Sequence, residues 1–523
     1  MKILTSREMN EIDRFTIEEL GVPGPVLMEN AGLRIADEIG RRFPRLREES
    51  VVIVAGKGNN GGDGLVIARR LADHGARPLV LLLAPKKEIK GDAALNLAVA
   101  EKFGLEIVEI GDEAGWKKQR MRLSHASIIV DAIFGTGLVK PAEGLPAAAI
   151  ADINAAPGFT VAVDVPSGLS SDTCRIIGPA VKADLTVALA APKIPHIFPP
   201  AEEYVGELVV ADIGIPPFLF EDAQLKLELV ETADVACRFK KRARDGHKGT
   251  YGHVFILAGS FGKTGAAVLA GKAALRAGAG LVTVGTPLSC LPVVARSMME
   301  LMTEALPETE AKTAAFEALP RLRELLPGKD VLLLGPGLST HPSTAKLVRA
   351  LLLEFPGPLV IDADGLNILA SDLTGLKTLS RPAVLTPHPG EFARLTGLPN
   401  AEVLSDRLAL APRFAAEHRV YVVLKGYRTL VATPEGRVYV NPTGNPGMAT
   451  GGSGDVLSGL IASFIAQEKD ENVLGKNILG AVLAAVYLHG RSGDLAAGKL
   501  GERALIAGDL IRYLPAALKE MES

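Results

Sequence analysis

SVVIVAGKGNNGGDG, residues Ser50–Gly64, reads as a short apolar strand, a glycine-rich loop and the opening of a helix. Gly56, Gly58 and Gly61 fit GxGxxG in the strand-to-helix setting where backbone N–H groups and the positive end of a helix hold a pyrophosphate. A site of that kind built for hydride transfer also places an acid about 20 residues on, to hold the ribose. Here the next strand ends in Leu83, Ala84, Pro85, Lys86 and Lys87, so ordinary dehydrogenase chemistry is disfavoured. What remains is a dense polar turn, Asn59 to Gly64, that offers N–H groups to phosphate and side-chain oxygens to a cation.

Outward from this stretch the first half alternates strands and helices. Val51–Ala55, Pro78–Leu83, Ile128–Val130, Phe159–Val163 and Leu185–Leu189 are apolar runs bounded by Gly, Pro or Asp, which predicts a parallel, doubly wound sheet. The series is interrupted at Ile213–Leu225 and by a basic, polar stretch from Phe239 to Lys248. A second series follows at His253–Leu257, Leu281–Val284, Val331–Leu334, Leu359–Ile361, Ala383–Leu385 and Tyr421–Leu424, ending in long helical segments after Gly454. The expected fold class is therefore α/β in two domains: a Rossmann-like doubly wound sheet over residues 1–217 and a second α/β domain over 226–523.

Composition agrees. At 523 residues the chain exceeds one ordinary core, and 48% hydrophobic against 22% charged residues excludes general disorder. A net charge of −3 supplies no global field for nucleic acid or an anionic membrane. Cys174, Cys237 and Cys290 lie far apart, without zinc spacing, which predicts free thiols in a reducing compartment, the cytoplasm. The apolar run Ile478–Leu488 is too short to span a bilayer, and no targeting segment is expected. A homo-oligomer is the expected assembly.

Two further loops follow strands of the first half: DAIFGTGL, Asp131–Leu138, and DVPSG, Asp164–Gly168. Residues just beyond parallel strands share one rim, so Asn60, Asp131, Asp164 and Ser167 can converge. With NNGGDG, these motifs closely resemble the epimerase domain of NAD(P)H-hydrate repair proteins, the YjeF N-terminal family, over most of residues 1–215. The resemblance implies that Asn59, Asn60, Gly61, Gly62 and Asp63, with Gly135, Thr136, Gly137, Leu138, Val139, Lys140 and Pro141, hold the hydrated dinucleotide. It also implies that Asn60, Asp131 and Ser167 coordinate a potassium ion and that Asp164 contacts substrate. An amide, a carboxylate and a hydroxyl are oxygen donors suited to a hard cation. Lys193, in AAPKIPH, matches a lysine the family keeps near the reacting ring; it reads either as the acid/base partner of Asp164 or as a solvated surface lysine.

In the second half, Gly259–Thr264 mimics a phosphate-binding GxxxxGK[ST] loop, but its spacing fails, and it is expected to lie on the substrate side. The stronger signal is NPTGNPGMATGGSGDVLSG, Asn441–Gly459: Gly451, Gly452 and Gly454 open a helix as an anion hole, with Asp455 on its first turn. GGSGD before a long terminal helix resembles the ribokinase superfamily. Together with GTYGHV, TPHPGE and VLKG it is closest to the ADP- or ATP-dependent NAD(P)H-hydrate dehydratases, the YjeF C-terminal family. The resemblance implies that Ala266, Gly337, His388 and Asp455 line the hydrated nucleotide. It implies that Lys425, Gly426, Tyr427, Arg428, Thr429 and Gly454 bind ADP or ATP, with magnesium expected alongside. The Tyr427–Arg428 pair departs from some members of that family.

Taken together, the two resemblances predict a bifunctional enzyme: the first domain interconverts R- and S-NAD(P)HX, and the second dehydrates S-NADHX and S-NADPHX at the expense of ADP or ATP. Asp164, Lys193 and Asp455 are the expected catalytic residues. The rival reading is a small-molecule kinase fused to a non-catalytic nucleotide-binding module, since GGSGD serves any phosphoryl transfer to an alcohol.

Overall fold

The computed structural model describes residues 1–239, 242–468 and 474–522, the side chains of 474–477 excepted. Lys240 and Lys241 of the basic stretch lie outside the described residues. The chain divides into two compact units, Met1–Leu225 and Lys226–Ser523.

The first unit is built on seven parallel strands: β1 (Val51–Ala55), β2 (Leu79–Leu82), β3 (Glu106–Glu109), β4 (Ile128–Ala132), β5 (Phe159–Val163), β6 (Leu185–Leu189) and β7 (Glu207–Ala211). Their order is β3-β2-β1-β4-β5-β6-β7. Successive residues of β1 serve opposite faces: Val51, Ile53 and Ala55 enter one core, Val52 and Val54 the other. Both faces are thus covered by helices, as a parallel sheet requires. Strands β3 and β7 were not expected from the sequence. Each opens with Glu at an edge of the sheet, where one side stays wet and the apolar run that marks a central strand is missing.

The order reverses between β1 and β4, and this switch point leaves a crevice beyond the strand ends. There NNGGDG differs from its expected form. Asn59–Asp73 is a helix, so the turn is only Gly56–Gly58, and the remaining glycines serve close packing rather than unusual backbone angles. A Cβ on Gly61 would stand 1.9 Å from the Gly56 carbonyl oxygen, and one on Gly64 would stand 2.7 Å from Ala132 Cβ. Gly61→Ala must therefore displace backbone, and we expect a loss of about 1–3 kcal/mol in this unit, measured by thermal or urea unfolding.

The second unit carries ten strands: β8 (Leu227–Leu229), β9 (His253–Leu257), β10 (Leu281–Pro287), β11 (Met302–Leu306), β12 (Val331–Leu334), β13 (Leu359–Ile361), β14 (Ala383–Leu385), β15 (Tyr421–Leu424), β16 (Leu430–Ala432) and β17 (Val438–Val440). The order is β11-β10-β9-β12-β13-β14-β15-β16-β17-β8, parallel from β11 to β15 and antiparallel at β15/β16 and β16/β17. The sequence alone suggested the central parallel strands. It did not suggest β8, β11, β16 or β17: three are only three residues long, and β11, MTEAL, mixes polar residues in at the sheet edge. Here the order reverses between β9 and β12, again opening a crevice at the strand ends. The buried helix Ser453–Gln467 packs on the sheet with its N-terminus at that rim.

Candidate active sites

In the first unit β1, β4 and β5 deliver their loops to one rim. Asn60 Nδ2 donates to the Phe134 carbonyl at 2.8 Å, and Ser167 Oγ accepts from Phe134 N at 2.8 Å. Asp131, at the end of β4, accepts from Ser167 N at 2.8 Å and Ile133 N at 3.3 Å. The structure thus brings Asn60, Asp131 and Ser167 together around Phe134. Asp131 is fully buried, and burial pushes its carboxyl up to about 6 against the hydrogen bonds from Ser167 and Ile133. A buried carboxylate served only by N–H and O–H donors, next to an amide, a hydroxyl and a carbonyl, is a donor set that fits a monovalent cation. Among the described residues no cluster of three His, Cys, Asp or Glu side chains suits a transition metal.

The Gly135–Pro141 loop leaves this cluster for solvent. Gly135 lies against Asn60, the Thr136 carbonyl accepts from Ser171 Oγ at 2.7 Å, and Val139 is 80% exposed. Asn59 is exposed at the helix start, while Asn60, Gly61, Gly62 and Asp63 are buried.

Beside the cluster, Asp164 adopts φ 63°, a left-handed conformation that L-residues rarely take and that often marks a functional position. Lys193 is fully buried and donates to Asp164 Oδ1 at 2.5 Å and to the Leu189 carbonyl at 2.8 Å. The solvated-lysine alternative is therefore wrong: AAPKIPH folds back so that the ammonium enters the site. Asp164 Oδ1 also accepts from Leu189 N at 2.9 Å, while Oδ2 takes no hydrogen bond among the described residues. Burial, then Asp164 and Asp13, push the Asp63 carboxyl well above its ordinary range, and burial raises Asp13 to about 6. Sequence reading missed Asp13, one of four acids on the helix Ser6–Glu18, with no motif around it to set it apart. It also missed His196, whose Nδ1 accepts from Lys193 N at 2.9 Å and whose imidazole burial lowers to about 3.

In the second unit, Gly452 (φ 92°) ends the preceding turn, and the helix Ser453–Gln467 begins without a side-chain cap, Ser453 N donating to the Thr450 carbonyl at 3.3 Å. Gly454 leaves room for Lys425 there: a Cβ would stand 3.0 Å from Lys425 Nζ, so the ammonium would have to shift. Lys425, just beyond β15, is bonded to Asp362 Oδ1 at 2.9 Å and lies 3.7 Å from Glu391. Burial opposes its charge, but Asp362, Glu391 and Asp455 outweigh burial and raise its pKa. Burial, reinforced by Asp362 and opposed by Lys425, pushes Asp455 up to about 7. His388 caps the helix Pro389–Thr396, its Nδ1 accepting from Gly390 N at 3.0 Å, while Glu391 accepts from His388 N at 2.8 Å.

Gly337 and Ala266 are neighbours: a Cβ on Gly337 would stand 3.1 Å from Ala266 Cβ and 2.8 Å from the Lys263 carbonyl. The false phosphate loop thus packs beside two residues expected to face the hydrate, and Lys263 pairs with Asp364 at 3.1 Å. A cavity of about 580 Å³ runs along the other side, lined by His388, by every residue from Lys425 to Thr429 and by Gly454. Asp455, Ala266 and Gly337 lie off that cavity. Asp362 and Glu391 were not singled out from the sequence; Glu391 closes TPHPGE, and strand-end position, directly after Leu359–Ile361, is the signal that could have found Asp362.

Residues 254–516 match the family model described as NAD(P)H-hydrate dehydratase, and residues 24–194 match that of the YjeF-related protein N-terminus. The bifunctional NAD(P)H-hydrate repair enzyme Nnr of Moorella thermoacetica is 46% identical over 523 residues, covering all of this chain and 97% of that protein. The chain belongs to the bifunctional NAD(P)H-hydrate repair enzymes. The repair enzyme of Thermofilum pendens is 39% identical, again over the whole of this chain and 97% of its relative. A Bacillus subtilis ADP/ATP-dependent NAD(P)H-hydrate dehydratase, co-crystallised with ATP and Mg2+, aligns at TM-score 0.48 and 32% identity, over 56% of this chain and 99% of its own. As a repair enzyme the chain carries an epimerase domain and a dehydratase domain, and the kinase-plus-binding-module reading gives way. Among the described residues no helix is long and apolar enough to cross a membrane.

Proposed function

We propose that Asp455 and the Asp164–Lys193 pair carry the two steps of repair. The observation that carries the first assignment is the position of Asp455 on the first turn of the helix Ser453–Gln467 beside the half-buried Lys425, where burial pushes its carboxyl up to about 7. Hydroxide is a poor leaving group. Asp455 takes the proton of the ring hydroxyl of S-NADHX or S-NADPHX as that oxygen attacks the terminal phosphorus of ADP or ATP. The bond to the bridging oxygen breaks, releasing AMP or ADP, and helix N–H groups and Lys425 stabilise the transferring charge. The ring nitrogen lone pair then expels phosphate, and loss of the nucleotide ring's excess proton restores the dihydronicotinamide. Bound with the nucleotide, magnesium would offset the negative charge of its phosphates. Lys425, Gly426, Tyr427, Arg428, Thr429 and Gly454 form the nucleotide side, and Ala266, Gly337 and His388 the hydrate side.

In the first domain, Asp164 Oδ2 is the oxygen left open for proton exchange with the hydrated ring, and Lys193 holds the carboxylate in its left-handed position. Asn60, Asp131 and Ser167, with the Phe134 carbonyl, hold potassium, which supplies a fixed positive charge to the rim. A crystal structure in potassium buffer is expected to show one ion touching all three side chains; ligand oxygens turned away from a common point would remove the ion from this reading. Three free cysteines support a reducing, cytoplasmic setting, and light scattering measures the expected homo-oligomer. The overall reading is tested by incubating mixed R and S hydrates with and without ADP or ATP and following absorbance and chromatography. Both epimers are expected to disappear only when nucleotide is present.

A further inference from the structure

One wall of the second unit's cavity plays no part in the steps above. His489, on the helix Leu474–Leu500, lines the cavity with Leu457, Val486 and Met448. Its Nε2 lies 2.9 Å from the Ser453 carbonyl oxygen and 3.3 Å from Ser453 Oγ. A carbonyl can only accept, so Nε2 carries the proton and Nδ1 keeps a lone pair. Burial lowers the imidazole to about 4, with the Ser453 carbonyl opposing and Lys425 reinforcing the shift, so the ring is neutral around pH 7. Nδ1 takes no hydrogen bond among the described residues and is not sealed from the cavity. An open acceptor of fixed tautomer thus stands among apolar side chains that fit the faces of a flat base.

We propose that His489 selects the base of the nucleotide co-substrate, its Nδ1 accepting a hydrogen bond from the exocyclic amine of a 6-amino purine. The inference rests on the reading of this cavity as the nucleotide side. It follows from the layout: the phosphate loop Lys425–Thr429 and Gly454 line the cavity, with His388 alone of the hydrate-side residues, whereas Asp455, Ala266 and Gly337 lie off it, so the remaining apolar wall receives the base. A 6-oxo purine would set its own acceptor against Nδ1 and leave both lone pairs unpaired in a buried slot. A purine with hydrogen at position 6 would lose the bond without the clash.

The test compares ADP, inosine diphosphate and purine riboside diphosphate as co-substrates for S-NADHX dehydration by the full chain, with direct binding of each nucleotide measured in parallel. In the parent, kcat/KM with ADP is expected to exceed that with inosine diphosphate by at least about tenfold, with purine riboside diphosphate between them. His489→Leu removes the acceptor, while the Ser453 carbonyl keeps its bond within the helix; the ADP preference is expected to fall to within about threefold. Equal use of the three nucleotides by the parent overturns the proposal without reference to any variant. So does a His489→Leu protein that keeps the parent's preference. If instead ADP binding is indifferent to Lys425→Met, the cavity is not the nucleotide side, and this inference falls with that reading.

Discussion

Asp455→Asn is expected to bind ADP or ATP as the parent does and to dehydrate the S hydrate at least about a hundredfold more slowly, the usual worth of a positioned general base. The amide fills the same volume on the first turn of the helix Ser453–Gln467 and leaves the glycine N–H groups in place. The loss should therefore fall on kcat, with the nucleotide KM little changed. The pH profile gives an independent check. A base acts in its deprotonated form, and burial holds Asp455 near 7. Dehydration should accordingly be flat above about pH 7 and fall roughly tenfold per unit below it. A single-turnover assay of purified S-NADHX across pH 5–9 reads both effects; near-normal turnover by the Asn variant would take Asp455 out of the mechanism.

Asp164→Ala is expected to reduce consumption of the R hydrate to its spontaneous rate while leaving ADP-dependent dehydration of the S hydrate intact. The substitution deletes the open carboxylate oxygen and strands Lys193, which is fully buried and has the Leu189 carbonyl as its remaining partner. Breaking one side of a buried pair typically destabilises by about 3–5 kcal/mol. Asp164→Asn is therefore measured beside it, as a variant that still offers Lys193 an acceptor. A folded Asn variant without epimerisation places the effect in chemistry rather than folding. The two domains hold separate sites, so combining Asp164→Asn with Asp455→Asn should give additive losses. Epimer-resolved chromatography reads each step; clearance of the R hydrate at the parent's rate by either Asp164 variant would end the assignment.

Much of this was legible in the sequence because its signals are local. Apolar runs between turn residues mark central parallel strands, and glycine at a strand-to-helix junction marks close approach of backbone to backbone or to phosphate. Gly61, Asp131, Ser167 and Asp455 could be named that way, since each stands at a strand end, in the loop that follows one or on the first turn of a helix. Edge strands such as β3 and β7 were not legible, because half-exposed strands lack the apolar signature.

What only the tertiary structure decided is which distant groups meet, and in what electrical setting. No local pattern says that Lys193 is buried on Asp164, that Asp13 from the first helix adds charge to that pair, or that Asp362 and Glu391 hold the Lys425 ammonium beneath Gly454. Nor does it say that His489 shares a cavity wall with the loop Lys425–Thr429, which lies about 60 residues earlier in the chain. The reason is physical: strand and helix preferences act over a few residues, whereas charge and desolvation act through space on groups that only the packed sheet brings together.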